Sequence, residues 1–179
     1  EASKQEQIGN PDKAIELLEK MRSIPECKST VYYKLAKLYY SKSRLEDALN
    51  AINESEQADP TNKWIRIYQA NIYESFGRYG NAAQSYESLA QLEPENYTMY
   101  DLAALNYIKS NLPSKAILIL DKAIEKFGLL PQVCIKKSRI LYNEKKYKKS
   151  IEILIQSLKD YPKHDELYIE LFDIYKNQS

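Results

Sequence analysis

Side chains able to do covalent or metal chemistry are scarce in this sequence. It has one histidine, His164, and two cysteines, Cys27 and Cys134; the 16 tyrosines are its only abundant aromatic residues. A single histidine excludes a site with several histidine ligands. No cysteine or histidine has a second ligand at the short spacing of a structural zinc site. Cys27 has no histidine suggested as the base that would activate it, and Cys134 reads as a packing residue. The glycine patterns GxGxxG and GxxxxGK[ST], which would cradle a phosphate at a helix start, are both missing. His164 reads as a polar residue in the loop after Pro162. These observations predict no cofactor, no metal and no small-molecule substrate, and a chain that is not an enzyme.

Charge narrows the partners. Lys and Arg total 26, Asp and Glu total 25, and the net charge is +1. General nucleic-acid or anionic-membrane binding leaves a basic footprint, and this balance has none. The segment 136–149, KKSRILYNEKKYKK, is locally basic, but Glu144 interrupts it and such runs are usually solvated faces, so nucleic acid is not expected as a partner. No apolar run approaches the roughly 18 residues of a membrane span, so direct membrane insertion is not expected. Hydrophobic residues make up 44%, enough for a core, and only four glycines argue against long flexible linkers.

The elements that carry these residues recur. Ala14, Ala48, Ala82, Ala116 and Ser150 form one column in steps of 34 residues, and Pro60, Pro94, Gly128 and Pro162 form another, at helix ends. The period divides the chain into a partial repeat at 1–28, repeats at 29–62, 63–96, 97–130 and 131–164, and a terminal helix at 165–179. Ala2 falls in a first-helix column, with 9–12 as the turn and a second helix over 13–22 that buries Ala14, Ile15, Leu18 and Met21. Tyr32, Leu35, Ala36 and Tyr39 stand at i, i+3, i+4 and i+7, the spacing of a helix buried on one side. Leu45, Ala48, Leu49 and Ile52 do the same in the following helix. Small residues at Ala36, Ala70, Ala104 and at Ala48, Ala82, Ala116 let paired helices approach, and Tyr39, Tyr73, Tyr107, Ile52, Tyr86 and Leu120 fill the space beside them. Gly128 ends its helix where a left-handed residue is expected. The fourth repeat diverges, with Cys134, Ser138, Leu141 and Ser150 in these columns. In the terminal helix, Tyr168, Leu171, Phe172 and Tyr175 form an apolar stripe that is expected to bury itself on the fourth repeat. The two cysteines fall in different repeats, so no disulfide joins them on this reading.

These columns resemble the tetratricopeptide family over nearly the whole chain. The resemblance implies an all-α fold, a right-handed superhelical α-solenoid of antiparallel helix pairs, whose concave groove is lined by first helices and usually binds peptides or protein segments. The sequence departs from the family where a tryptophan is expected early in the first helix: Tyr or Cys mostly stands there, and Trp64 lies two places earlier. Carried onto this chain, the groove-facing columns hold Tyr33, Lys37 and Tyr40, then Trp64, Ile67, Asn71 and Glu74. Thr98, Asp101, Leu105 and Ile108 follow, then Ile135, Arg139 and Tyr142. Aromatic anchors and arginine are enriched at interface hot spots. One subtype clamps chaperone C-terminal carboxylates with lysine, asparagine and arginine across three repeats. The corresponding columns here, Tyr33, Lys37, Tyr68, Thr98 and Leu102, or Ile67, Asn71, Leu102, Gln132 and Lys136 one repeat on, do not reproduce that clamp.

The expected function is a non-enzymatic protein–protein interaction scaffold that binds a peptide or protein segment in the groove. The alternative is a structural array that assembles end to end through exposed terminal helices. The KFG ending and NKW opening are similar to those of long tetratricopeptide proteins of Gram-negative bacterial envelopes, which tilts the expected location toward the bacterial cell envelope or periplasm. Both ends fall within a repeat, so the chain reads as a piece of a longer array.

Overall fold

Four helices start where the sequence supplies a capping acceptor or a proline, and most stop where the chain must turn back. The computed structural model describes residues 10–177, which are helical with no strand among them. Ten α-helices follow in order: α1 (Pro11–Lys20), α2 (Lys28–Ser41), α3 (Leu45–Ala58), α4 (Lys63–Ser75), α5 (Tyr79–Leu92), α6 (Tyr97–Lys109), α7 (Pro113–Phe127), α8 (Pro131–Asn143), α9 (Tyr147–Asp160) and α10 (Asp165–Lys176). This is the all-α class of paired helices that the sequence period predicts.

Asn10 caps α1 by accepting from the Lys13 amide at 3.2 Å, and Asn62 caps α4 by accepting from the Trp64 amide. Pro11, Pro113 and Pro131 open their helices, where a missing N–H costs nothing. The expected turn at 9–12 is therefore too long, because Pro11 and Asp12 already belong to α1. The helix ends at Lys20 rather than Arg22, and Met21, expected in its buried face, caps it and stays exposed. The expectations for Ala2 and Gly9 lie outside the described residues.

Helices α2, α4, α6 and α8 share one ending. Ser43, Gly77, Asn111 and Lys145 have φ of 57°, 68°, 57° and 60°. The next amide in each case, from Arg44, Arg78, Leu112 and Lys146, bonds back to Tyr39, Tyr73, Tyr107 and Leu141 at 2.8–2.9 Å. Together with the bonds from Ser43 to Tyr40 and from Gly77 to Glu74, this is the Schellman closure, with a left-handed residue just past the helix. Gly128 after α7 also has positive φ, 81°, but its ψ of −173° is extended rather than helical, a region nearly reserved for glycine. The glycine is required there, though not in the left-handed helical conformation expected.

The chain forms two compact units, 1–92 and 93–179. In the first, Leu35, Ala36, Ala48, Leu49 and Ile52 anchor a core between α2 and α3 that Ile65 and Ile72 of α4 join. Ala70 and Ala82 are fully buried where α4 and α5 pair. Tyr73, expected to fill the space beside them, is only half-buried. In the second unit, Ala104 and Ala116 are fully buried in the α6–α7 pair. The α8–α9 pair places Ser138 and Ser150 in those columns, and two hydrogen bonds let them approach: Oγ to Oγ at 2.8 Å, and Ser150 Oγ to the Ser138 carbonyl at 2.9 Å.

The terminal helix corrects the sequence reading. Leu167 and Ile174 of α10 are buried and Leu171 is half-buried, packed with Cys134, Ile135 and Leu141. Tyr168, Phe172 and Tyr175 remain 51%, 64% and 54% exposed. Two stripes at helical spacing adjoin on this helix, and the aliphatic one is buried. The Tyr168 hydroxyl donates to the Pro162 carbonyl at 3.0 Å, which holds that ring at the surface. The outer face of the last described helix is consequently apolar, where a terminal cap was expected to be polar.

Candidate functional site

In the first unit the predicted residues gather around a ring the expectation omitted. Tyr33 and Tyr40 sit two turns apart on α2, and both meet Tyr68 of α4 edge-on, with ring centroids 5.6 Å and 6.0 Å away. Such pairs contribute about 0.5–1.5 kcal/mol beyond the area they bury. Burial, then the neighbouring Tyr33 and Tyr40, pushes the Tyr68 phenol up to about 12. The Tyr40 hydroxyl and Ser75 Oγ share a hydrogen bond of 2.7 Å. Lys37 is exposed, with Nζ 6.0 Å from the Tyr33 ring centroid. Trp64 is 64% exposed and shares with Tyr33 a cavity of about 380 Å3 that Ser29, Thr30 and Asn62 also line. Ile67 is half-buried on α4, while Asn71 accepts from the Tyr86 hydroxyl at 3.3 Å.

In the second unit, α6, α8 and α10 contribute to one open groove of about 620 Å3. Its apolar side chains are Leu105 and Ile108 of α6, Ile135 and Ile140 of α8, and Ile169 of α10. Of these, Leu105, Ile108 and Ile169 are 36%, 39% and 58% exposed. The predicted charges are already engaged within the protein. Asp101 accepts from Lys136 and, at 3.2 Å, from the Tyr97 hydroxyl. Arg139 donates from Nε and Nη2 to one oxygen of Glu170, at 2.9 Å and 2.7 Å. That hydrogen bond holds the guanidinium above its ordinary pKa, against the effect of burial. Tyr142 stands apart from the apolar floor. It packs on Tyr147, with centroids 5.1 Å apart, and lines a smaller cavity of about 230 Å3 with Arg139 and Asp173.

A third cavity, of about 560 Å3, lies among α1, α2 and α3 and is polar. Its groups largely bond one another. The Tyr39 hydroxyl donates to Glu19 at 2.5 Å, and Arg22 donates to Glu19 at 2.5 Å and to the Tyr32 hydroxyl at 3.2 Å. Burial and then Glu19 push Tyr39 up to about 12.

Chemistry-bearing groups do not converge. His164 precedes α10, and no group of three or more His, Cys, Asp or Glu side chains among the described residues could hold a metal ion. Cys27 and Cys134 are both free thiols, and burial pushes Cys134 up. No helix among the described residues is long and apolar enough to cross a membrane.

The residues that column-matching missed are Tyr68 and the α10 side chains Glu166, Ile169, Glu170 and Asp173. The α10 set recurs at i, i+3, i+4 and i+7, a signal available in the sequence but overshadowed by the neighbouring aromatic stripe.

A tetratricopeptide repeat family model matches residues 29–62 and 69–96. No curated protein matches the chain. Among solved structures, the chain is similar to a crystal structure of the MamA protein, with a TM-score of 0.60 and 18% identity over 86% of this chain and 84% of that one. A tetratricopeptide repeat protein from Parabacteroides merdae aligns with a TM-score of 0.59 and 20% identity, over 97% of this chain and 69% of that one. YrrB, described as a tetratricopeptide repeat protein with an unusual peptide-binding site, aligns with a TM-score of 0.56 and 18% identity, over 92% of this chain and 84% of that one. At these identities the likeness is one of fold.

Proposed function

We propose that the chain, which a tetratricopeptide repeat model matches over residues 29–62 and 69–96, is a tetratricopeptide-repeat protein and a non-enzymatic scaffold which binds a protein or peptide segment on its first-helix faces. The observation that carries this reading is the open groove of the second unit, where exposed Leu105, Ile108 and Ile169 stand beside Ile135. Apolar side chains grouped in an open groove and rimmed by polar ones mark an interaction site. The Tyr33–Tyr40–Tyr68 cluster with exposed Trp64 offers aromatic anchors on the first unit's equivalent face.

Selection from a displayed peptide library tests the proposal. Enriched sequences should lose binding to Leu105→Glu/Ile108→Glu, and any first-unit binders should lose it to Tyr33→Ala/Trp64→Ala. Peptides that bind every variant as well as the parent chain would refute it.

A second reading rests on a separate observation, the exposed Tyr168, Phe172 and Tyr175 on α10. Such a face would take the next helix of an array or a second copy of the chain. Sedimentation of the parent chain and of Phe172→Glu/Tyr175→Glu distinguishes them. A monomer in both cases would remove self-association from consideration.

A further inference from the structure

The second-unit groove has an acidic wall with charge to spare, and this deepens the peptide-binding reading on which it rests. Five charged side chains line it: Lys136, Arg139, Glu166, Glu170 and Asp173. Lys136 is matched by Asp101, and Arg139 by Glu170. Glu166 and Asp173 have no ion pair among the described residues, and both are exposed along the α10 side of the groove. The groove thus presents five apolar side chains, Leu105, Ile108, Ile135, Ile140 and Ile169, beside two carboxylates that act on Arg139 only at longer range than its direct partner Glu170, which leaves the wall net negative.

The geometry points to an occupant of complementary pattern: an amphipathic polypeptide segment that seats apolar side chains on this floor and directs Lys or Arg toward Glu166 and Asp173. An acidic segment, or nucleic acid, would bring like charge against that wall, which costs affinity and slows encounter. The whole chain carries only +1, so its overall charge cannot draw in a basic partner. A preference for one must arise locally.

Fluorescence anisotropy with two labelled synthetic peptides on the full chain provides the test. One peptide carries leucines at helical spacing with lysines between them; its twin has glutamate for every lysine. The lysine peptide should bind at least about tenfold tighter at low salt, with the advantage shrinking as salt screens the exposed charges. Glu166→Gln/Asp173→Asn should remove most of that preference, and Leu105→Glu should weaken binding of the parent peptide. Equal binding of the twins, or a lysine preference that survives the Glu166→Gln/Asp173→Asn change, overturns the charge inference. If in either case Leu105→Glu still weakens binding, the groove reading itself stands. No binding of either peptide overturns the inference, and peptide-library selection that also yields no groove-dependent sequence overturns the broader reading with it.

Discussion

Gly77→Ala isolates what the recurrent turn costs. Gly77 follows α4 with φ of 68°, and a Cβ built there meets nothing within 4 Å. Steric crowding from neighbours is therefore removed from the account, leaving only the backbone. The left-handed conformation costs an L-residue about 1–2 kcal/mol. Replacing glycine by alanine recovers about 0.4–1 kcal/mol by restricting the unfolded chain. The difference between the centres of these ranges predicts a net loss of about 0.8 kcal/mol for Gly77→Ala. Gly77→Asn should lose less, since asparagine visits this region more readily, as Asn111 does at the equivalent place. Urea unfolding followed by the helical signal measures both, with the midpoint compared at unchanged slope. An unchanged or higher midpoint for alanine, or a larger loss for asparagine than for alanine, would refute the view that backbone conformation governs the residue choice in this column. The reciprocal change, Lys145→Gly, should leave stability level or raise it.

Ala82→Leu should destabilise the first unit by about 1–3 kcal/mol through overpacking where α4 and α5 meet, measured by the same unfolding assay. Tyr39, Tyr68 and Tyr86 are each pushed up to about 12, chiefly by burial. The folded chain then holds phenolic protons that the unfolded chain releases near the ordinary value of about 10. Their stability contribution is full below about pH 10 and is lost as pH rises through about 12, so tyrosinate absorbance and helix loss should advance together in that window. Independent tyrosine titration with intact helices would contradict this. Thiol labelling of the folded chain should modify Cys27 quickly and buried Cys134 only on unfolding; equal rates would place Cys134 elsewhere than in the core.

Periodicity made most of the scaffold legible. The alanine columns read from the sequence are the buried points where helices pair. Of the first-helix columns, Leu105, Ile108, Ile135 and Arg139 line the second-unit groove, and Tyr33 and Trp64 line a first-unit cavity. What remained hidden has physical causes. On α10, the Leu167–Leu171–Ile174 and Tyr168–Phe172–Tyr175 stripes both satisfy helical spacing, and only packing against Cys134 and Leu141 decides which is buried. Asp101 and Arg139 look like free groove charges in sequence, yet their partners Lys136 and Glu170 lie on neighbouring helices 35 and 31 residues away. The left-handed column of Ser43, Gly77, Asn111 and Lys145 escaped notice because its side chains share no chemistry, only a backbone conformation.

The Ser138–Ser150 contact has a directional consequence. Because Ser150 Oγ gives its hydrogen to the Ser138 carbonyl, the Ser138 hydroxyl must give its own to Ser150 Oγ. Exchanging Ser138 for alanine first leaves Ser150 still bonded to a backbone carbonyl that any residue supplies. Exchanging Ser150 first strands a buried hydroxyl, a loss of about 1–3 kcal/mol until the second exchange relieves it. The two routes between a serine pair and the alanine pair of the other repeats are thus unequal in height. The two positions are therefore coupled, and the order of exchange sets the stability of the intermediate.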